Sequence, residues 1–184
     1  MDMTTQTDAE SGKSFDDLIE QALLHLPKEA QQLTAQAIQA ARSAHETHHG
    51  FLGGLVNMRK LESEDGRAVL MMDVTPNALN GYGYVHGGML FTLADYAMGY
   101  ASSMLVAPGE NVVTLEAKAN YISNLKEGRA VAKVETLHKG SHLITLETRI
   151  YNAETDELLM IVTGTFYIIA TEHASEPPRA HGRS

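Results

Sequence analysis

The sequence predicts an α+β fold in which an antiparallel β-sheet curls around one long helix. Three features predict it. The stretch from Gly87 to Val106 is apolar on nearly every side but carries Asp95 near its middle. A helix buried inside protein tolerates that carboxylate, whereas lipid would penalise it by several kcal/mol. Segments of alternating polar and apolar residues flank this helix, two before it and four after, which is the pattern of half-buried strands. Turn-forming clusters, among them Ser63-Glu64-Asp65-Gly66, Pro108-Gly109 and Asn152 to Asp156, separate the segments. A helix apolar nearly all round must be wrapped on most sides, and a curled sheet does this.

The elements follow in chain order. Ser14 is a candidate N-cap for a helix through Phe15, Leu18, Ile19 and Leu23 that stops before Pro27. A second helix, Lys28 to about His49, carries a modest stripe of Leu33, Ala37, Ile38 and Ala41, with Gly50 as a stop. Strand character then begins: Phe51 to Leu61, the turn, and Arg67 to Val74, followed by a loop from Pro76 to Gly83. The central helix spans roughly Gly88 to Leu105. Residues 112 to 123 alternate, with Thr114, Glu116, Lys118 and Asn120 on one face and Leu115, Ala117, Ala119 and Tyr121 on the other. Ala130 to Leu137, Leu143 to Tyr151 and Leu158 to Ile169 complete an expected four-strand meander. The expected organisation is a disordered start (1–14), a helical extension (15–50), the α+β domain (51–170) and a disordered tail (171–184), because both ends are more polar than the rest.

Composition narrows the function. The 184 residues are 43% apolar and 20% charged, suiting one domain with one core and one site. A formal net charge of -9 and the lack of a basic stripe argue against nucleic acid as a partner. The absence of cysteine rules out disulfides, thiol catalysis and thiolate metal sites. Met1 to Ser14 has no secretory signal, so a soluble cytoplasmic protein without membrane insertion is expected. His45-Glu46-Thr47-His48-His49 fits the H-E-x-x-H pattern of zinc peptidases, but Gly50 ends the helix and no third ligand follows on a later helix, so no metal is expected.

Chemistry concentrates between Asn80 and Asp95. Gly87 and Gly88 at a helix start leave first-turn N–H groups bare, able to donate to an oxygen that gains negative charge. Asp95, flanked by Leu93, Ala94, Ala97 and Met98, is the one charged residue of the helix and a candidate base or nucleophile. Asn80 and His86 supply hydrogen-bonding groups on the approach.

Asn80, His86-Gly87-Gly88, Leu93-Ala94-Asp95, Gly99 and Val113-Thr114 together resemble the hotdog-fold acyl-CoA thioesterases of the phenylacetate-degradation type. In that family an Asn stands six residues before the His and an Asp nine after it, as here. The resemblance covers about Phe51 to Ile169. It implies a hotdog fold and hydrolysis of an aromatic or medium- to long-chain acyl-CoA, without metal or redox cofactor. The Gly87 N–H would polarise the thioester carbonyl, and Asn80 would position substrate or water. Asp95, contributed by the facing subunit, would act as general base or as nucleophile. Thr114 would help hold the water, and His86 would orient the loop. Gly88 is an implied substrate contact, and the Lys139-Gly140-Ser141 loop an implied contact of the CoA arm. A homodimer or a dimer of dimers is expected, both from the family and because a lone sheet exposes an edge strand. A non-catalytic acyl-CoA or lipid-binding protein of the same fold is the alternative, with a dehydratase ranked below it.

Overall fold

A computed structural model describes residues 15–47 and 50–170. Two helices come first, α1 (Phe15–His25) and α2 (Lys28–Thr47), parted at Pro27. The expected Ser14 cap, both tails, and His48 and His49 of the zinc-like motif lie outside the described residues.

The expected strand from Phe51 is corrected. Phe51–Leu55 is a short helix, α3, and β1 runs Met58–Glu64. Its apolar residues suit a helical turn as well as a strand, and packing decides between them. A Cβ at Gly53 would lie 3.2 Å from the Tyr96 ring, and one at Gly54 would lie 3.1 Å from the Ala40 Cβ. Two side-chain-free positions thus let α3 close against both α2 and the central helix. The chain then reverses through Asn57 at φ 50°. Gln36 of α2 ties this corner, donating from Nε2 to the Leu55 carbonyl at 2.9 Å and accepting from Asn77 Nδ2 at 3.0 Å.

β1 and β2 (Arg67–Asp73) form a hairpin whose turn is only Asp65-Gly66, both at positive φ, so Ser63 and Glu64 belong to the strand. The central helix α4 spans Gly87–Ser103 and is followed by β3 (Glu110–Tyr121), β4 (Arg129–Lys139), β5 (Leu143–Asn152) and β6 (Leu158–Ala170). All pairings are antiparallel, in the order β1-β2-β4-β5-β6-β3. The last four strands therefore do not form the expected meander: β3 pairs with β6 at one edge while β4 pairs with β2. The crossing segment between β3 and β4 explains the detour. Leu125 is buried, its carbonyl accepts from Val85 N at 2.9 Å, and Asn124 Nδ2 donates to the Val85 carbonyl at 2.9 Å. This crossing braces the residues that lead into α4.

Leu90, Leu93, Ala94, Ala97, Met98 and Ala101 of α4 are fully buried in one cluster with Leu70, Met72, Ile144, Leu146, Ile150 and Met160 of the sheet. Each large side chain so buried contributes about 1.5–3 kcal/mol. The other face of α4 is less enclosed than its apolar sequence suggests. Thr92, Asp95, Tyr96 and Gly99 are half-buried, while Gly88 and Ser103 are exposed. Among the described residues no helix is long and apolar enough to cross a membrane.

The expected two faces of β3 are also corrected. Its register against β6 shifts between Thr114 and Glu116, leaving Leu115 in a bulge. An extra residue flips the alternation. Thr114 therefore shares the helix side with Tyr121, and both side chains touch α4.

Candidate active site

Asn80 organises the loop ahead of α4. Its Oδ1 accepts from Tyr82 N at 2.9 Å and Tyr84 N at 3.2 Å, while its own N–H donates to the Tyr84 carbonyl at 2.7 Å. This is an Asx-type closure, with Gly83 supplying the left-handed residue at φ 75°. The side-chain Nδ2 has no partner among the described residues, so the amide can shape the loop and still donate outward.

His86 is the N-cap of α4, with φ -63° and ψ 130°. Its Nδ1 accepts from Gly88 N at 3.0 Å, which requires that nitrogen to be unprotonated. Its carbonyl takes the Met89 N–H at 2.8 Å. With Gly88 and Met89 so engaged, the Gly87 N–H is the first-turn donor without a partner among the described residues. The cap thus separates two glycines that the sequence leaves equivalent: Gly88 serves the helix and Gly87 is free to serve a ligand.

Tyr121 is a site neighbour that sequence reasoning missed. Its hydroxyl donates to the Gly87 carbonyl at 3.3 Å, and a Cβ on Gly87 would come within 2.9 Å of its ring. Glycine at 87 is therefore what lets the ring cover the helix start. No sequence spacing links residues 87 and 121. Only the packing of β3 along α4 does.

Eight residues further along α4, Asp95 accepts a hydrogen bond from Thr114 Oγ1 at 2.8 Å. The apolar residues beside Asp95 in sequence do not surround it in space, since Leu93, Ala94, Ala97 and Met98 are buried on the core side. The carboxylate is half-buried on the open side. The Lys139-Gly140-Ser141 turn lies at the Thr114 end of the sheet: Ile144 pairs with Phe166, which pairs with Thr114. That places Ile144 about 10 Å, and Lys139 one strand further at about 14 Å, across the sheet from Thr114. Lys139 and Ser141 are exposed, Ser141 Oγ bonds His142 Nδ1 at 2.8 Å, and Gly140 N closes the turn on the Leu143 carbonyl at 2.8 Å.

The candidate residues form two groups. Asn80, His86 and Gly87 gather at the start of α4, whereas Asp95 meets Thr114 beside the middle of the helix, with the 139–141 turn further across the sheet. An eight-residue separation on a helix is about 12 Å along its axis. A carboxylate at that distance cannot act on a carbonyl held by the Gly87 N–H of the same chain. Among the described residues no group of three or more His, Asp or Glu side chains is placed to hold a metal ion.

Residues 82–159 match the family model of the thioesterase superfamily. The 1,4-dihydroxy-2-naphthoyl-CoA hydrolase of Listeria monocytogenes is 34% identical over 98 residues, covering 53% of this chain and 79% of that protein. The acyl-coenzyme A thioesterase PaaI of Escherichia coli is 32% identical over 98 residues, covering 51% and 66%. Among solved structures, a conserved protein of Pseudomonas aeruginosa superposes with a TM-score of 0.61 at 31% identity, over 64% of this chain and 92% of that one. A Bacillus halodurans protein determined with CoA has the same fold, with a TM-score of 0.72 at 24% identity over 84% of this chain and 99% of that one. That coverage exceeds what residues 51–170 can supply, so the shared fold reaches beyond the α+β domain.

Proposed function

The chain belongs to the thioesterase superfamily, and from that membership we propose that it hydrolyses an acyl-CoA thioester to a carboxylic acid and free CoA. The active form is a homodimer whose two sites each draw on both subunits. One observation carries this reading: Gly87, with its free N–H, and Asp95 stand eight residues, about 12 Å of backbone rise, apart on one helix, so each needs the other from a second copy. The edge where that copy would pair is β3, on which Val113, Leu115 and Tyr121 are 45%, 60% and 57% exposed. Pairing the β3 strands of two copies about a two-fold axis would bring the open faces of the two α4 helices together.

In the proposed site the thioester oxygen accepts the Gly87 N–H at the positive end of α4, and Asn80 Nδ2 donates to substrate or water. Asp95 of the partner subunit, held by Thr114, takes a proton from water as it adds to the carbonyl carbon, and collapse of the tetrahedral intermediate expels the CoA thiolate. Direct attack by the carboxylate, giving an anhydride that water then opens, uses the same residues. Single turnover in 18O-water separates the two paths, because only the anhydride path leaves label in the Asp95 carboxylate. In this reading the acyl group is aromatic or medium- to long-chain, and Lys139 and Ser141, both exposed, would meet the CoA arm.

Thiol release from aromatic and aliphatic acyl-CoA esters tests the activity, with Asp95→Asn as the inactive control. Subunit mixing tests the shared site. Equal amounts of Asp95→Asn and an inactive variant at Gly87, allowed to exchange subunits, should recover about a quarter of wild-type activity, since half the dimers then hold one intact site of two. No recovery in an exchanged mixture would sink the shared site. Absence of turnover on every ester, with CoA esters still raising the melting temperature, would turn the reading to a binding protein.

A further inference from the structure

The helical extension ahead of β1 is fastened to the domain at two places, and both lead to the candidate site. At the first, α3 closes on Tyr96, the residue after Asp95, through Gly50 and Gly53: a Cβ at either position would run into the Tyr96 side chain. At the second, Gln36 of α2 accepts from Asn77 at 3.0 Å, in the Pro76–Ala78 turn just ahead of Asn80. Between these places α2 and α3 are locked together. Gln36 Nε2 donates to the Leu55 carbonyl, and the Cβ of buried Ala40 lies 3.1 Å from where a Cβ on Gly54 would stand. The extension thus ties the loop that carries Asn80 to the middle of α4, where Asp95 stands.

We infer that Gln36 is a positioning residue for the loop that carries Asn80 and Gly87, an inference that rests on the thioesterase reading for its chemistry. The loop has two limbs. The Val85 limb is braced by the crossing between β3 and β4, which bonds both the N–H and the carbonyl of Val85 at 2.9 Å. The Pro76–Ala78 limb has one side-chain bond to another element among the described residues, from Asn77 Nδ2 to Gln36 Oε1. The neighbouring Thr75 hydroxyl is buried without a partner and ties nothing. Asn80 hangs between the limbs. The Ala78 carbonyl takes the His86 N–H at 2.7 Å, and Leu79 bridges Val85. A shift of the first limb is therefore carried both to Asn80 and to the cap that leaves the Gly87 N–H free. Gln36 suits the task because its amide is fixed in one sense. A carbonyl only accepts, so Nε2 must face Leu55 and Oε1 must face Asn77. Gln36 and Asn77 are both half-buried, so water does not fully replace a lost partner. Gln36 does not reach the reacting atoms and acts through Asn77.

Thiol release and amide hydrogen exchange on the full chain test it. Gln36→Leu keeps roughly the size of the side chain and deletes both of its bonds, while Asn77→Ala deletes the partner. Each should lower kcat about tenfold and leave KM within about twofold, at a temperature where melts show the variant folded. The two together should lose no more than one alone, because both cut the same tie. Gln36→Glu keeps the acceptor for Asn77 and loses the donor to Leu55. It should recover most of kcat without recovering stability, which a merely structural role would not do. The Tyr82 and Tyr84 amides, which donate to Asn80 Oδ1, should exchange about tenfold faster in Gln36→Leu and near the wild-type rate in Gln36→Glu. Exchange needs no substrate. If the wild type turned over no ester, the thioesterase reading would fall and the exchange rates would decide this inference. Wild-type kcat or unchanged exchange in folded Gln36→Leu would overturn it, as would additive losses in the double variant or a Gln36→Glu as impaired as Gln36→Leu. Should Gln36→Leu fail to fold, Asn77→Ala carries the same two readouts.

Discussion

Gly87→Pro isolates the donor on which the proposed chemistry rests. Proline removes one N–H and, at the first position of a helix, little else. The structure favours the exchange. The Gly87 N–H has no partner among the described residues, so no internal hydrogen bond is lost. His86 already has φ -63° and ψ 130°, the extended geometry that a residue before proline requires. The one obstacle is the Tyr121 ring, 2.9 Å from where a Cβ would sit. That ring lies on the β3 edge of the proposed dimer, and Gly87→Ala meets it equally. Folding stability of the proline variant should therefore differ from that of the alanine variant by no more than about 1 kcal/mol. Turnover should fall about 100- to 1000-fold, roughly 2.7–4 kcal/mol of lost oxyanion stabilisation. Gly87→Ala displaces the same ring but keeps the N–H, and should retain most activity. The assay is thiol release from the best acyl-CoA substrate, with thermal melts in parallel. A folded proline variant within about threefold of wild type, less than about 0.7 kcal/mol, would refute Gly87 as the oxyanion donor. An alanine variant as impaired as the proline one would assign the loss to Tyr121 displacement.

Thr114→Val keeps the shape and deletes the donor to Asp95, and should cost about 1.5–3 kcal/mol of activation free energy, read as a fall in kcat of about tenfold or more. Retained kcat would remove Thr114 from the site. His86→Ala should lower stability by about 1 kcal/mol through loss of the Gly88 cap, whereas His86→Asn, another good cap, should recover most of it in thermal denaturation. Equal melting of the two variants would argue against the cap. Glu154 has its pKa lowered from the ordinary value of 4.5, chiefly by the side-chain hydrogen bond from Arg129. Its contribution is thus present above pH 4.5 and disappears as pH falls through the lower folded value. Urea melts of Glu154→Gln and wild type should converge in acid and differ, slightly, at neutral pH. A difference that widened on acidification would contradict that sign.

Local pattern was enough to read the central helix, apolar nearly all round, and the strands of the C-terminal half, whose alternation reflects one buried face and one wet one. The hotdog arrangement was legible through resemblance, because the spacing from Asn80 to Asp95 that carries the likeness is local to one helix start, and the fold bears that arrangement out. What escaped depends on tertiary choice. Phe51 to Leu55 could be helix or strand until Ala40 and Tyr96 packed against its glycines. The bulge at Leu115 leaves no mark in composition, yet it decides whether Thr114 faces Asp95 or solvent. Tyr121 could not be tied to Gly87 by counting residues. Nor does the sequence reveal that His86 claims one glycine N–H and leaves the other, which only the cap geometry decides.

The pairing of β3 with β6 also has a kinetic side. Thr114 pairs with Phe166, a partner made long after it, and contacts so distant in sequence form late because their loop must close first. On a growing chain, β4 and β5 can join β2 while β3 waits, its apolar Val113 and Leu115 unaccompanied, for the last strand to emerge. The carboxylate and its threonine thus come under control of the final segment synthesised before residue 170. A nascent chain thus shows an unpaired β3 at a moment when it has no activity. Chaperone demand and premature termination should therefore bear on this protein most heavily in the interval between the synthesis of β3 and that of β6.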